Sequence, residues 1–132
     1  STPMVFDDSI MQITEGNELF TKAVIFTSTI NLAHISVNLQ LCANAKVPIM
    51  AGLFQDATAN ALATCFGLST GNTAGGPYEF SHSMITGTIS STTFRVRVGG
   101  AGSSTVFLNG WNSARIGGGA MSSSIKITEV FA

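Results

Sequence analysis

Charge is what this sequence has least of. Six Lys and Arg with seven Asp and Glu make up 10% of its 132 residues, against roughly 25% in an ordinary globular domain. A domain this size has a large surface to cover. Either Ser, Thr, Asn and Gly cover it, or part of it is buried against other subunits, and we expect both. The net charge is -1, so no basic footprint marks a nucleic-acid partner. Arg95 and Arg97 share one face of a predicted strand and are expected to meet carboxylates or carbonyls across it. Cysteine is equally scarce. Cys42 and Cys65 both sit among apolar residues, which reads as two buried thiols rather than a disulfide. No CxxC or HxxxH spacing exists, so no zinc site, and no metal or other cofactor, is expected. No apolar run approaches the roughly 20 residues of a membrane span. No cationic start leads into an apolar core as in a signal peptide, and no membrane partner is expected.

Active-site signatures are lacking too. A nucleophile needs a base and an orienting group, and no GxSxG-like motif supplies the first. His34 and His82 fall mid-strand and read as hydrogen-bonded structural histidines. Of seven acids, Asp7, Asp8, Glu15 and Glu18 precede residue 19, which leaves few candidates for a glycosidase pair. Gly99–Gly102 and Gly117–Gly119 are followed by no helix, so they are turns or close backbone approaches rather than phosphate cradles. Catalysis is not expected.

What is present is alternation. In Asn31–Leu41 the residues Ala33, Ile35, Val37, Leu39 and Leu41 point one way, and His34, Ser36, Asn38 and Gln40 the other. That period of two is a strand with one dry face. Leu19–Thr27, Val47–Gln55, Ala61–Leu68, Tyr78–Ile85, Thr92–Val98, Thr105–Trp111 and Ser123–Phe131 read as further strands. Both faces of Leu19–Thr27 look covered. Pro48 belongs at a strand start or an edge, and Gly52 at a bulge or a close approach. Thr105–Trp111 is expected to pair back on Thr92–Val98 as a hairpin. A helix over 57–66 is conceivable from its alanines, but a strand fits the neighbourhood better. The sum is an all-β chain of eight or nine short antiparallel strands, a sandwich or barrel. Eight strands in two sheets make a jelly roll. Residues 1–16 form an extended arm or a first strand, and 17–132 a single domain. The chain opens at Ser1, which fits removal of an initiator Met, a cut chain or a domain excised from a longer one. The first makes these residues the whole protein.

Five stretches together resemble a recurrent module of tailed-bacteriophage virion proteins. They are TEGNELF (14–20), LFQDATANALA (53–63), SSTTFRVRVGG (90–100), FLNGWNSARIGGG (107–119) and AMSSSIKITEV (120–130). FTSTIN (26–31) stands where that module has a Pro-containing turn. The resemblance runs from about Asp7 to Val130 and concerns structural punctuation, not an active site. It implies a trimeric jelly roll similar to the tumour-necrosis-factor and complement head folds.

The function expected is therefore structural and non-enzymatic. The first expectation is a homotrimeric capsid decoration (cement) protein on the outer head surface of the virion, made in the host cytoplasm and partnered by the major capsid protein. The alternative is a tail-fibre tip or adhesin recognising a host surface glycan or protein. Phe20, Val24, Phe26, Tyr78, Phe80, Phe94, Trp111 and Phe131 are the candidate core or trimer-interface residues. Met4, Phe6, Asp7, Asp8 and Ile10 are the candidate capsid-contact arm. Asn72, Thr73 and Ser103 are the candidate exposed-loop contacts.

Overall fold

A computed structural model of the chain describes residues 2–71, 75–111 and 114–132. The described elements are β1 (Asn17–Val24), β2 (Leu32–Ala43), β3 (Lys46–Gln55), β4 (Ala63–Thr70), β5 (Gly75–Ile85), β6 (Thr92–Gly100), β7 (Val106–Leu108), β8 (Gly110–Trp111), β9 (Ala114–Arg115), a single 3-10 turn at Gly117–Gly119, and β10 (Ser124–Val130). They form two packed antiparallel sheets. One has the order β1-β6-β3-β4; the other has the order β10-β2-β5, with β7 also pairing to β2. β8 and β9 make a small separate ribbon.

β2 organises the second sheet. β5 runs beside it from Leu32↔Ile85 to Cys42↔Gly75, and β10 and β7 divide its other edge, at Leu32–Asn38 and Leu41–Ala43. Ala33, Ile35, Val37, Leu39 and Leu41 are all buried. They face Ile49, Ala51 and Leu53 of β3 and Phe94, Val96 and Val98 of β6 in one core. Phe26 and Phe94 meet edge to face with centroids 6.4 Å apart, a preferred aromatic geometry.

The arm does not extend. Residues 2–16 contain no strand, only isolated bridges from Thr2 to Glu15 and from Gln12 to Asn60. They fold back over the outer face of the β1-β6-β3-β4 sheet. Met4 and Met11 are buried there with Phe54, and Phe6, Ile13, Met50 and Ala61 pack around them. Gly52 is the close approach the sequence suggested: a Cβ on it would stand 2.5 Å from the Met11 sulfur. β3 is thus covered on both faces, which is why KVPIMAGLFQ reads as an almost unbroken apolar run.

Two further expectations change, and one irregularity is new. Val106–Leu108 does not pair back on β6, because β1 and β3 already occupy both β6 edges. It crosses to the other sheet and pairs with β2. β1 ends at Val24, so its second face is not covered throughout: Ala23 and Ile25 are exposed. A register shift between Glu18 and Phe20 turns both Leu19 and Phe20 towards the core, as a bulge does.

Candidate functional site

The sandwich is sealed in the middle and open along one flank. β4 and β5 are the edge strands of the two sheets, and they lie side by side with no ladder between them. The dry face of β5 carries Tyr78, Phe80, His82 and Met84, and each is only half-buried. Their counterparts on β2 are wholly buried. On the outer face of β4, Phe66 and Leu68 stand in solvent. A groove of about 490 Å³ runs along this flank, lined by residues such as Cys65, Phe66, Gly67, Leu68, Pro77 and Tyr78. Phe66 continues onto the folded arm through an edge-to-face contact with Phe6, centroids 6.3 Å apart.

Edge strands invite pairing with other chains, and proteins that stay monomeric blunt them with charge. β1 is blunted in that way: Lys22 pairs in register with the buried Phe94, so it leaves the strand on the core-side face, yet it stays exposed. β4 carries no charged residue at all, and β5 only Glu79. The flank is therefore both apolar and undefended.

Burial pushes the Cys65 thiol up to about 11, and a hydrogen bond to the Ala51 backbone only partly offsets that. Cys42 is raised by burial as well. Tyr78 is raised by burial, then by the nearby thiols of Cys65 and Cys42. Both cysteines are free, as expected. These are protonated, poorly nucleophilic thiols.

The polar groups serve the fold. Arg97 donates to the Glu15 and Gly16 carbonyls at 2.9 and 2.7 Å. Arg95 donates to the Asp56 carbonyl and pairs with Glu18 at 3.1 Å. These are the partners expected of that arginine pair. Glu15, itself buried, accepts from the backbone N–H groups of Val5 and Gln12 and so pins the arm. Asp7 accepts from Ser9, which holds its carboxyl below the usual range. His34 Nδ1 lies 2.8 Å from Ser83 Oγ on the outer face, while His82, paired in register with the buried Ile35, faces inward. The two histidines are on opposite sides of the sheet. Among the described residues no three His, Cys, Asp or Glu gather into a metal-binding set.

The residues singled out from sequence divide clearly. Phe26 and Phe94 are core. Phe20, Val24, Tyr78 and Phe80 are half-buried against it. Trp111 and Phe131 are exposed. In the arm, Met4 is buried and Phe6 half-buried against their own domain, so neither is free to reach a neighbour. Asp7, Asp8 and Ile10 are exposed. Ser103 is exposed in the loop after β6, and Asn72 and Thr73 lie outside the described residues. Phe66 and Leu68 were missed, although their signal was available: apolar side chains spaced two apart on a strand that also carries apolar groups on its other face.

The chain matches no protein-family model, and no curated protein sequence matches it.

Proposed function

We propose that this chain is a non-enzymatic structural protein of a bacteriophage particle, acting as a homotrimeric jelly roll that decorates the outer surface of the head. The observation that carries the reading is the open β4/β5 flank. An edge with Phe66 and Leu68 exposed, Tyr78 half-buried and almost no charge is what an obligate interface looks like when its partner is removed. The scarcity of charge over the whole chain points the same way. The strand order supports the jelly-roll part, since from β1 to β6 the chain passes between the β1-β6-β3-β4 sheet and the β10-β2-β5 sheet at every connection except the β3–β4 hairpin. The trimer and the virion setting rest on the resemblance of the five sequence stretches.

The carboxylates fit a structural role. Glu15, Glu18, Asp56 and Glu129 each hold backbone or side-chain donors of the fold. The arm acts as a second small core rather than as a tether. Threefold repetition of a modest contact would then supply the affinity for the capsid. Imaging of an intact particle tests the setting: density for this chain on the head, in threefold groups, supports it. Density only at the tail tip supports the adhesin reading, and absence from the particle ends both.

A further inference from the structure

The folded arm is held to the sandwich largely by methionine. Of the five methionines in the chain, three meet in the second small core: Met4 and Met11 on the arm and Met50 on β3. The apolar residues of the arm have no period, and an unbranched thioether fills the irregular gaps that result. Met11 is the central piece. It is 3% exposed, and Phe54 beside it is wholly buried. Its sulfur sits over Gly52, where even a Cβ would stand 2.5 Å away. The Phe54 ring lies 3.1 Å from that same Cβ position. Phe6, Ile13, Met50 and Ala61 complete the cluster, and none of these side chains can donate a hydrogen bond.

Two features leave the Met11 sulfur within reach of small solutes. A groove of about 470 Å³ opens between arm residues 7–10 and residues 61–64, with Met11 and Met50 on its wall. The arm is also lightly fastened at this point. The Met11 carbonyl accepts from the Ala61 N–H at 3.0 Å, and the Ile13 N–H donates to the Ala59 carbonyl at 2.8 Å. Beyond these there is one isolated bridge, from Gln12 to Asn60. A segment with so few backbone bonds opens locally at low free-energy cost. The thiols compete poorly, since burial keeps Cys65 protonated, whereas a thioether has no proton to lose.

We propose that Met11, with Met50 beside it, is an oxidation site whose sulfoxide undocks the arm. The oxidant is a hydroperoxide, of which hydrogen peroxide is the simplest. A sulfur lone pair attacks one peroxide oxygen, and an S–O bond forms as the O–O bond breaks. The departing oxygen leaves as hydroxide and takes up the proton of the transferred one, giving water. Sulfur loses two electrons and the peroxide gains them. The product carries a polar acceptor oxygen among side chains that donate nothing. An acceptor buried without a donor is costly, and the cost is relieved when the arm lifts and the oxygen meets water. Lifting bares Met50, Gly52 and Phe54 on β3. Methionine sulfoxide reductase reverses the step, so the arm works as a reversible latch. This device does not rest on how the chain assembles.

Hydrogen exchange on the full chain, before and after hydrogen peroxide, tests it, with peptide mass spectrometry to place each added oxygen. Oxygen is expected on Met11 and Met50. Exchange at Val5, Gln12 and Ile13 is expected to become at least about tenfold faster, with β2 unchanged. Methionine sulfoxide reductase with a dithiol is expected to restore protection. Met11→Leu/Met50→Leu conserves volume and removes both sulfurs, so its arm is expected to stay protected under the same peroxide. A wild-type arm that stays protected with Met11 oxidised overturns the proposal. So does oxidation confined to Met84 and Met121, the half-buried methionines outside this core. So does equal release in the leucine variant. If that variant lacks a docked arm before peroxide is added, the wild type decides. Protection lost with peroxide and regained with reductase supports the proposal, and any other result overturns it.

Discussion

Tyr78 on β5 lies against Gly67 on β4 so closely that a Cβ on residue 67 would stand 2.9 Å from the phenol oxygen and collide with the ring edge. No ladder joins these strands; this ring-on-backbone contact packs β5 against β4 along the otherwise open flank. Gly67→Ala is expected to push the ring outward and cost about 1–3 kcal/mol, as overpacking does. Tyr78→Phe removes only the hydroxyl and should change stability by less than about 1 kcal/mol. Urea denaturation of the two variants checks the pair. Equal stability of Gly67→Ala and wild type would show that the ring does not pack tightly on the β4 backbone.

The folded arm hangs on Glu15. Glu15→Ala removes the charged acceptor of the part-buried Val5 and Gln12 N–H groups, hydrogen bonds of a kind worth about 1.5–3 kcal/mol each at most. Gly52→Val drives a side chain into the Met11 sulfur. Both variants are expected to release residues 2–14 while the sandwich stays folded. Hydrogen exchange should show protection lost at Val5 and Gln12 and kept on β2.

Glu129 makes the end of β10 sensitive to acid. The hydrogen bond from Asn31 foremost, helped by those from Thr27 and Ser28, holds its carboxyl below the usual range against the opposing effect of burial. A group lowered on folding contributes stability that is fully present above its unfolded value, about 4.3 for Glu. That contribution is lost as pH falls through the folded value. Acid titration of wild type and Glu129→Gln should therefore diverge above about pH 4.3, with the wild type more stable, and converge below it. Parallel curves throughout contradict the assignment.

The thiols should be slow. With Cys65 pushed up to about 11 by burial, its thiolate fraction near neutral pH is roughly a hundredfold below that of a free cysteine. Both cysteines are expected to label with a disulfide reagent only on unfolding. Reducing agent should leave the melting temperature unchanged.

The strands were legible wherever one face meets the core and the other meets water. β2, β5 and β6 show that alternation residue by residue, and the Arg95–Arg97 face could be assigned from it. The arm was not legible, because its apolar residues have no period; what locates it is Gly52, thirty-six residues beyond the arm's end at Gly16. The path after β6 was misread because a glycine-rich turn does not say which neighbour is still free. The alternation Ile125, Ile127, Glu129 was visible, but the donors that satisfy the carboxylate lie near residues 27 and 31. Sequence order keeps such partners apart.

The most direct measurement of the account is the mass of the chain in solution. In sedimentation velocity of the full chain, the proposed trimer predicts a species of three 13.7 kDa chains that falls to one in Phe66→Asp. A single 13.7 kDa species for the unaltered chain, stable on dilution and cooperatively folded, would contradict it.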